Sequence, residues 1–148
     1  MDETHPDLSS IPRGRRLILL EGLGEALGLE RELAALYDRL ASSLPPTAPV
    51  ELVAELARET EAHGARVAAL IVALGGHPPP PASAAGPGTG SRGDLYSRVF
   101  QAERSLLAGY RDLVALLPDP AVLPPLVTLV GDEGRHLNRL LDLYRRYS

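Results

Sequence analysis

The run DEGRH, Asp132 to His136, places a glutamate and a histidine three residues apart, with Leu129 before them and Leu140 after. On a helix, residues i and i+3 share a face. Glu133 and His136 therefore stand on the stripe that the flanking leucines would bury. An acid and an imidazole interrupting an apolar stripe raise the question of what they meet there.

The stripe extends in both directions at alternating spacings of three and four, as Leu126, Leu129, Glu133, His136, Leu140, Leu143 and Tyr147. Three other proline-free segments carry the same pattern. The first reads Leu23, Leu27, Glu30, Ala34, Tyr37, Ala41, Leu44; the second reads Val53, Leu56, Thr60, His63, Val67, Leu70, Leu74; the third reads Tyr96, Phe100, Glu103, Leu107, Tyr110, Val114, Leu117. Such seams are those of helices packed in a four-helix bundle. Each is apolar except at its middle, where Glu30, Thr60, His63, Glu103, Glu133 and His136 fall.

Proline and glycine mark the ends of the segments. LPPTAP, Leu44 to Pro49, separates the first helix from the second, and PDPA, Pro118 to Ala121, separates the third from the fourth. Pro124 and Pro125 fit only the first turn of the last helix. Residues 75–93, almost wholly prolines, glycines and small residues, read as a long crossover linker. Residues 1–13 read as a flexible arm, leaving 14–148 as a single bundle domain. His5 and His77 are read as residues of arm and loop. The fold class is all-α, with no strand-like alternation anywhere.

The two hairpins are copies. A shift of 73 residues, without a gap, pairs Glu30 with Glu103, Tyr37 with Tyr110, His63 with His136 and Arg66 with Arg139, within thirteen identities over residues 30–71. Leucine and alanine matches come easily in this composition, but paired Glu, Tyr and His do not. Glu30 and Glu103 each lie 14 residues before the leucine that ends their helix, and the polar groups of helices two and four lie at a similar distance beyond the turns. At about 1.5 Å per residue, each hairpin brings its polar groups to one level. An approximate two-fold axis merges the two levels into one polar layer within an apolar core.

Three carboxylates in such a layer must shift their pKa, pair or bind a metal, and no seam position holds a basic side chain other than histidine. Glu-x-x-His spacing with one glutamate from each remaining helix is the ligand pattern of di-iron and di-manganese bundles. Tyr37 and Tyr110 have two readings, as core residues whose hydroxyls hydrogen-bond the carboxylates or as redox-active catalytic groups; the first is favoured.

Composition narrows the chemistry. The chain has 148 residues and no cysteine, which excludes disulfides, iron–sulfur clusters and thiolate zinc sites. A net charge of -4 without a basic stripe argues against nucleic acid. No segment approaches the roughly 20 apolar residues of a membrane span, and the first residues lack the pattern of a signal peptide. A cytoplasmic protein is the expectation.

At these residues the chain resembles the ferritin-like superfamily, in particular its rubrerythrin and bacterioferritin branch, over residues 16–147. The resemblance implies that Glu30 and Glu103 are terminal ligands, that Glu133 bridges two non-haem ions, and that His63 and His136 each cap one. It implies iron, or manganese in its place, and an activity that oxidises Fe(II) with dioxygen or peroxide. A homodimer or higher oligomer is consistent with it. The pattern breaks at Thr60, where a second bridging glutamate would stand. Glu59, one turn before His63, is the neighbour that could swing inward to supply the missing charge, or stay on the surface like its repeat mate Asp132. The absence of cysteine also removes a rubredoxin-type electron source. The alternative reading is a bundle that has lost its metal and serves as a binding or structural module.

Overall fold

The computed structural model describes residues 8, 11–81, 90–117 and 119–148. Four helices follow one another: α1 Arg13–Ser43, α2 Val50–Ala73, α3 Arg92–Leu116 and α4 Leu123–Tyr147. No strand occurs among the described residues, and no helix is long and apolar enough to cross a membrane. The bundle is the expected one, with boundaries within two or three residues of those read from the sequence.

Local chemistry sets the helix ends. At the start of α3 the Ser91 hydroxyl accepts from the Asp94 amide, and the Asp94 carboxylate accepts from the Ser91 amide. Such a reciprocal cap contributes about 1 kcal/mol. Past the end of α2, Gly75 takes a φ of 86°, a left-handed conformation. Its amide donates to Val72 and that of Gly76 to Ile71, which satisfies carbonyls the helix cannot pair itself. Pro45 and Pro46 stop the chain from continuing α1.

α1 packs against α2, α3 against α4, and α1 against α3. Arg92, at the start of α3, donates through Nε to the carbonyl of Ser43, at the end of α1, at 3.0 Å. α1 and α3 therefore run antiparallel, and the described start of the segment joining α2 to α3, residues 74–81, leaves the end of the bundle opposite the start of α3. It passes α1, where Arg31 donates to the Pro79 carbonyl at 2.6 Å. Residues 82–89 of that linker lie outside the described residues. Gly22 lets the two hairpins approach closely: a Cβ there would stand 2.9 Å from Leu113.

The core is built from the predicted stripes, including Leu23, Leu27, Tyr37, Leu56, Val67, Tyr96, Tyr110, Leu126, Leu129 and Leu140, all essentially buried. Burying each large apolar side chain stabilises by about 1.5–3 kcal/mol. Leu8 and Ile11 also join this core. At these two positions the chain packs on the bundle, where a free arm was expected, because each supplies a large aliphatic group. Residues 1–7, 9 and 10, the rest of that arm with His5, lie outside the described residues.

Candidate metal centre

All six polar interruptions of the seams are buried at mid-bundle. Glu30 on α1, Glu103 on α3 and Glu133 on α4 have no solvent exposure, and Thr60 and His63 on α2 and His136 on α4 are almost as inaccessible. The two imidazoles stack across the hairpins, with ring centroids 5.2 Å apart and planes 21° from parallel.

Glu133 lies between the rings. Its Oε1 is 2.6 Å from Nδ1 of His63 and 3.9 Å from Nδ1 of His136. Glu30 Oε2 stands 3.5 Å from Nδ1 of His63, and Glu103 Oε2 stands 3.6 Å from Nδ1 of His136. Each histidine thus faces one helix-one or helix-three glutamate, and both face Glu133. Donor atoms of His63, Glu133 and His136 all fall within 4.8 Å of one another.

The outward nitrogens are held by acids from the opposite hairpin. Nε2 of His63 is 3.0 Å from Asp132 Oδ2, and Nε2 of His136 is 2.7 Å from Glu59 Oε2. A carboxylate can only accept, so each Nε2 carries its hydrogen and each Nδ1 is left to face the carboxylate layer. Asp132 is itself paired with Arg135.

Glu59 is therefore not where a ligand on the His63 side would be. It sits a third exposed on the outer nitrogen of the other histidine, because its position one residue before Thr60 turns it from the seam toward α4. Asp132 likewise does not remain on the surface. It was missed as a site residue, although one signal was available: the 73-residue shift sets an acid at both 59 and 132.

Thr60 occupies the seam, but its hydroxyl donates to the Leu56 carbonyl at 2.7 Å. The tyrosines break the internal symmetry. Tyr110 donates to Glu30 Oε2 at 2.9 Å, as the hydrogen-bonding reading expected, whereas the equally buried Tyr37 hydroxyl has no hydrogen-bond partner. His77 lies exposed in the loop after α2.

Burial raises the pKa of all three glutamates. Glu103 is pushed to about 8 and Glu133 to about 7, and Glu30 is raised as well despite its contact with His63. Burial acts on His63 in the opposite sense, but Glu133 and Glu30 outweigh it and lift the imidazole to about 10. Asp132, although burial opposes it, is lowered by Arg135 and His63. Without a metal, the layer reaches balance by holding protons.

Whether the residues fit a metal is tested by their unmet valences. Glu30 Oε1, both oxygens of Glu103, both of Glu133 and the Nδ1 atoms of both histidines are buried without a hydrogen-bond partner. The closest approach among these atoms is the 2.6 Å ion pair of His63 Nδ1 with Glu133 Oε1. Buried carboxylate oxygens are costly when unpaired. Oxygen and imidazole donors converging without internal partners suit first-row divalent cations.

Three solved structures share this architecture. The bacterioferritin-related, dodecameric thioferritin of Bacteroides fragilis superposes with a TM-score of 0.75 at 19% identity, over 88% of this chain and 86% of the other. A ferritin-like, diiron-carboxylate protein of Bacillus anthracis gives 0.74 at 20% identity, over 89% and 99%. The bacterioferritin of Rhodobacter capsulatus, in a structure with a metal-free dinuclear site and haem iron, gives 0.69 at 24% identity, over 88% and 87%. No protein-family model and no curated protein matches the chain by sequence. The chain has the ferritin-like four-helix-bundle fold.

Proposed function

We propose that this bundle is a non-haem di-metal carboxylate protein, with iron or manganese held by Glu30, Glu103, Glu133, His63 and His136. The observation that carries the reading is the set of buried oxygens and inward nitrogens without partners. Glu133, with Oε1 near the Nδ1 atoms of both histidines, would supply a carboxylate common to the two sides, and Glu30 and Glu103 would each supply one on the His63 and His136 side. The neighbours described as a diiron-carboxylate protein and as a bacterioferritin with a dinuclear site support the same assignment.

Bound iron would supply electrons for reducing dioxygen or peroxide, making the activity a ferroxidase or peroxidase type of Fe(II) oxidation. The chain's own groups have simpler tasks. Asp132 and Glu59 fix the tautomer and tilt of the imidazoles. Tyr110 holds one oxygen of Glu30 and leaves the other free. The surrounding leucines bury the carboxylates, which would strengthen their hold on a bound cation.

One observation favours a second reading, a metal-free structural module. Thr60 stands where the repeat sets Glu133 in the other hairpin, and its hydroxyl is satisfied within its own helix by the Leu56 carbonyl at 2.7 Å. Metal analysis after aerobic Fe(II) or Mn(II) loading separates the two. About two ions per chain, lost in Glu30→Ala/Glu103→Ala, supports the di-metal reading; no retained transition metal supports the module.

A further inference from the structure

The two hairpins repeat the centre but differ in what covers it. Between α1 and α2 lies a cleft of about 370 Å³ with Thr60 and Glu30 among the residues that line it. Glu30 is completely buried, and its Oε1 has no partner. Small side chains keep the cleft open at Ala34, Gly64 and Ala68.

The 73-residue shift shows what this cleft would be if it were closed. Ala34 corresponds to Leu107, Gly64 to Leu137, Ala68 to Leu141 and Thr60 to Glu133. Four bulkier side chains thus stand at the equivalent places on the second hairpin. A larger groove crosses the α3–α4 side, but neither Glu103 nor Glu133 lines it. Charge differs in the same sense. The first cleft is edged by Asp38 and Glu61, both exposed, where the second hairpin has Arg111 and Gly134. Among the described residues its one cationic wall residue is Arg31, which donates to the Pro79 carbonyl.

We propose that the α1–α2 cleft is the route by which divalent cations reach the centre, with Asp38 and Glu61 as a capture pair at the mouth and Glu30 as the first inner ligand. The proposal rests on the metal reading above. An acidic mouth with low-dielectric walls concentrates cations and raises their association rate, and salt screens the effect.

The test is stopped-flow binding of Co(II) to the metal-free full chain, followed by visible absorption at low salt and at about 0.3 M NaCl, where screening is strong. Asp38→Asn/Glu61→Gln should slow association on the order of tenfold at low salt, flatten its salt dependence, and leave final stoichiometry unchanged. The control Asp112→Asn/Asp142→Asn removes the same charge from the second hairpin and should keep the wild-type rate. Ala34→Leu/Ala68→Leu, which imports the leucines of the second hairpin, should slow uptake at both salt concentrations while circular dichroism shows an intact bundle. If that variant fails to fold, the charge pair and its control decide alone. Equal slowing by both charge pairs, or by neither, overturns the route while leaving the centre in place. Absence of any Co(II) binding overturns the metal reading and the route with it.

Discussion

Asp132 on α4 holds His63 on α2 from outside the centre, Oδ2 to Nε2 at 3.0 Å, and Glu59 holds His136 in the mirrored arrangement. Each hairpin thus orients the imidazole of the other. Asp132→Asn and Glu59→Gln remove the charge but keep the shape, and an amide can present its NH2 group to the ring and favour the wrong tautomer. Each should weaken Mn(II) binding by about 10–100-fold while leaving the number of sites unchanged. Isothermal titration measures both quantities. Unaltered affinity in both variants would show that the outer acids only decorate the surface.

Tyr110 and Tyr37 are repeat mates with unequal partners. Tyr110→Phe leaves Glu30 Oε2 without its hydrogen bond, which costs about 1–3 kcal/mol and should lower the melting temperature. Tyr37→Phe removes a buried hydroxyl that bonds to nothing, so its melting temperature should stay level or rise. Thermal denaturation of the two metal-free variants is sufficient. Equal losses would contradict the asymmetry.

Much of the fold and of the centre is legible in the amino-acid sequence. The stripes, their polar middles and the 73-residue repeat are one-dimensional patterns, and a bundle converts them directly into a buried layer, so Glu30, His63, Glu103, Glu133 and His136 can be named together. The roles of Glu59 and Asp132 are not legible there. Both lie one position off the seam, and which neighbour they reach depends on how closely α2 and α4 approach, a distance that periodicity does not encode. The burial of Leu8 and Ile11 is hidden for a related reason: a short apolar pair among prolines has no period, and its burial depends on a surface formed elsewhere in the chain.

The metal-free bundle should lose stability as the pH rises. Glu103, Glu133 and His63 have pKa values of about 8, about 7 and about 10, each above its ordinary value. A group with a raised folded-state pKa stabilises fully below its unfolded pKa and loses that contribution as the pH climbs through the folded one. For the two carboxyls the window runs from 4.5 to about 8, and for His63 from 6.5 to about 10. Metal ions compete for the same sites, so the gain in melting temperature on adding Mn(II) should grow over that range. Scans at about pH 5.5, 7 and 8.5, with EDTA and with Mn(II), follow directly from the linkage relation. A metal-free protein that becomes more stable toward pH 8.5 would contradict the account.

Thr60 offers the sharpest test, because it separates the metal-bound and metal-free states by sign. Its side chain is fully buried three residues before His63, the relation Glu133 bears to His136, and its hydroxyl serves only its own helix at Leu56. Thr60→Glu adds a fourth carboxylate to a layer whose acids are already driven to hold protons. Without metal, it should destabilise by a few kcal/mol, roughly the cost of burying an unpaired carboxyl. With two divalent ions the balance reverses, since four carboxylates offset four positive charges where three cannot. The variant should therefore melt below wild type in EDTA and above it in Mn(II), with tighter binding of the second ion and faster Fe(II) oxidation. Because Glu59 lies on the outer nitrogen of His136, Glu59→Gln should not mimic the loss of a bridging ligand, and stoichiometry should hold. If Thr60→Glu folds and lowers stability equally with and without Mn(II), no pair of ions occupies the layer, and the structural-module reading takes the place of the metal centre.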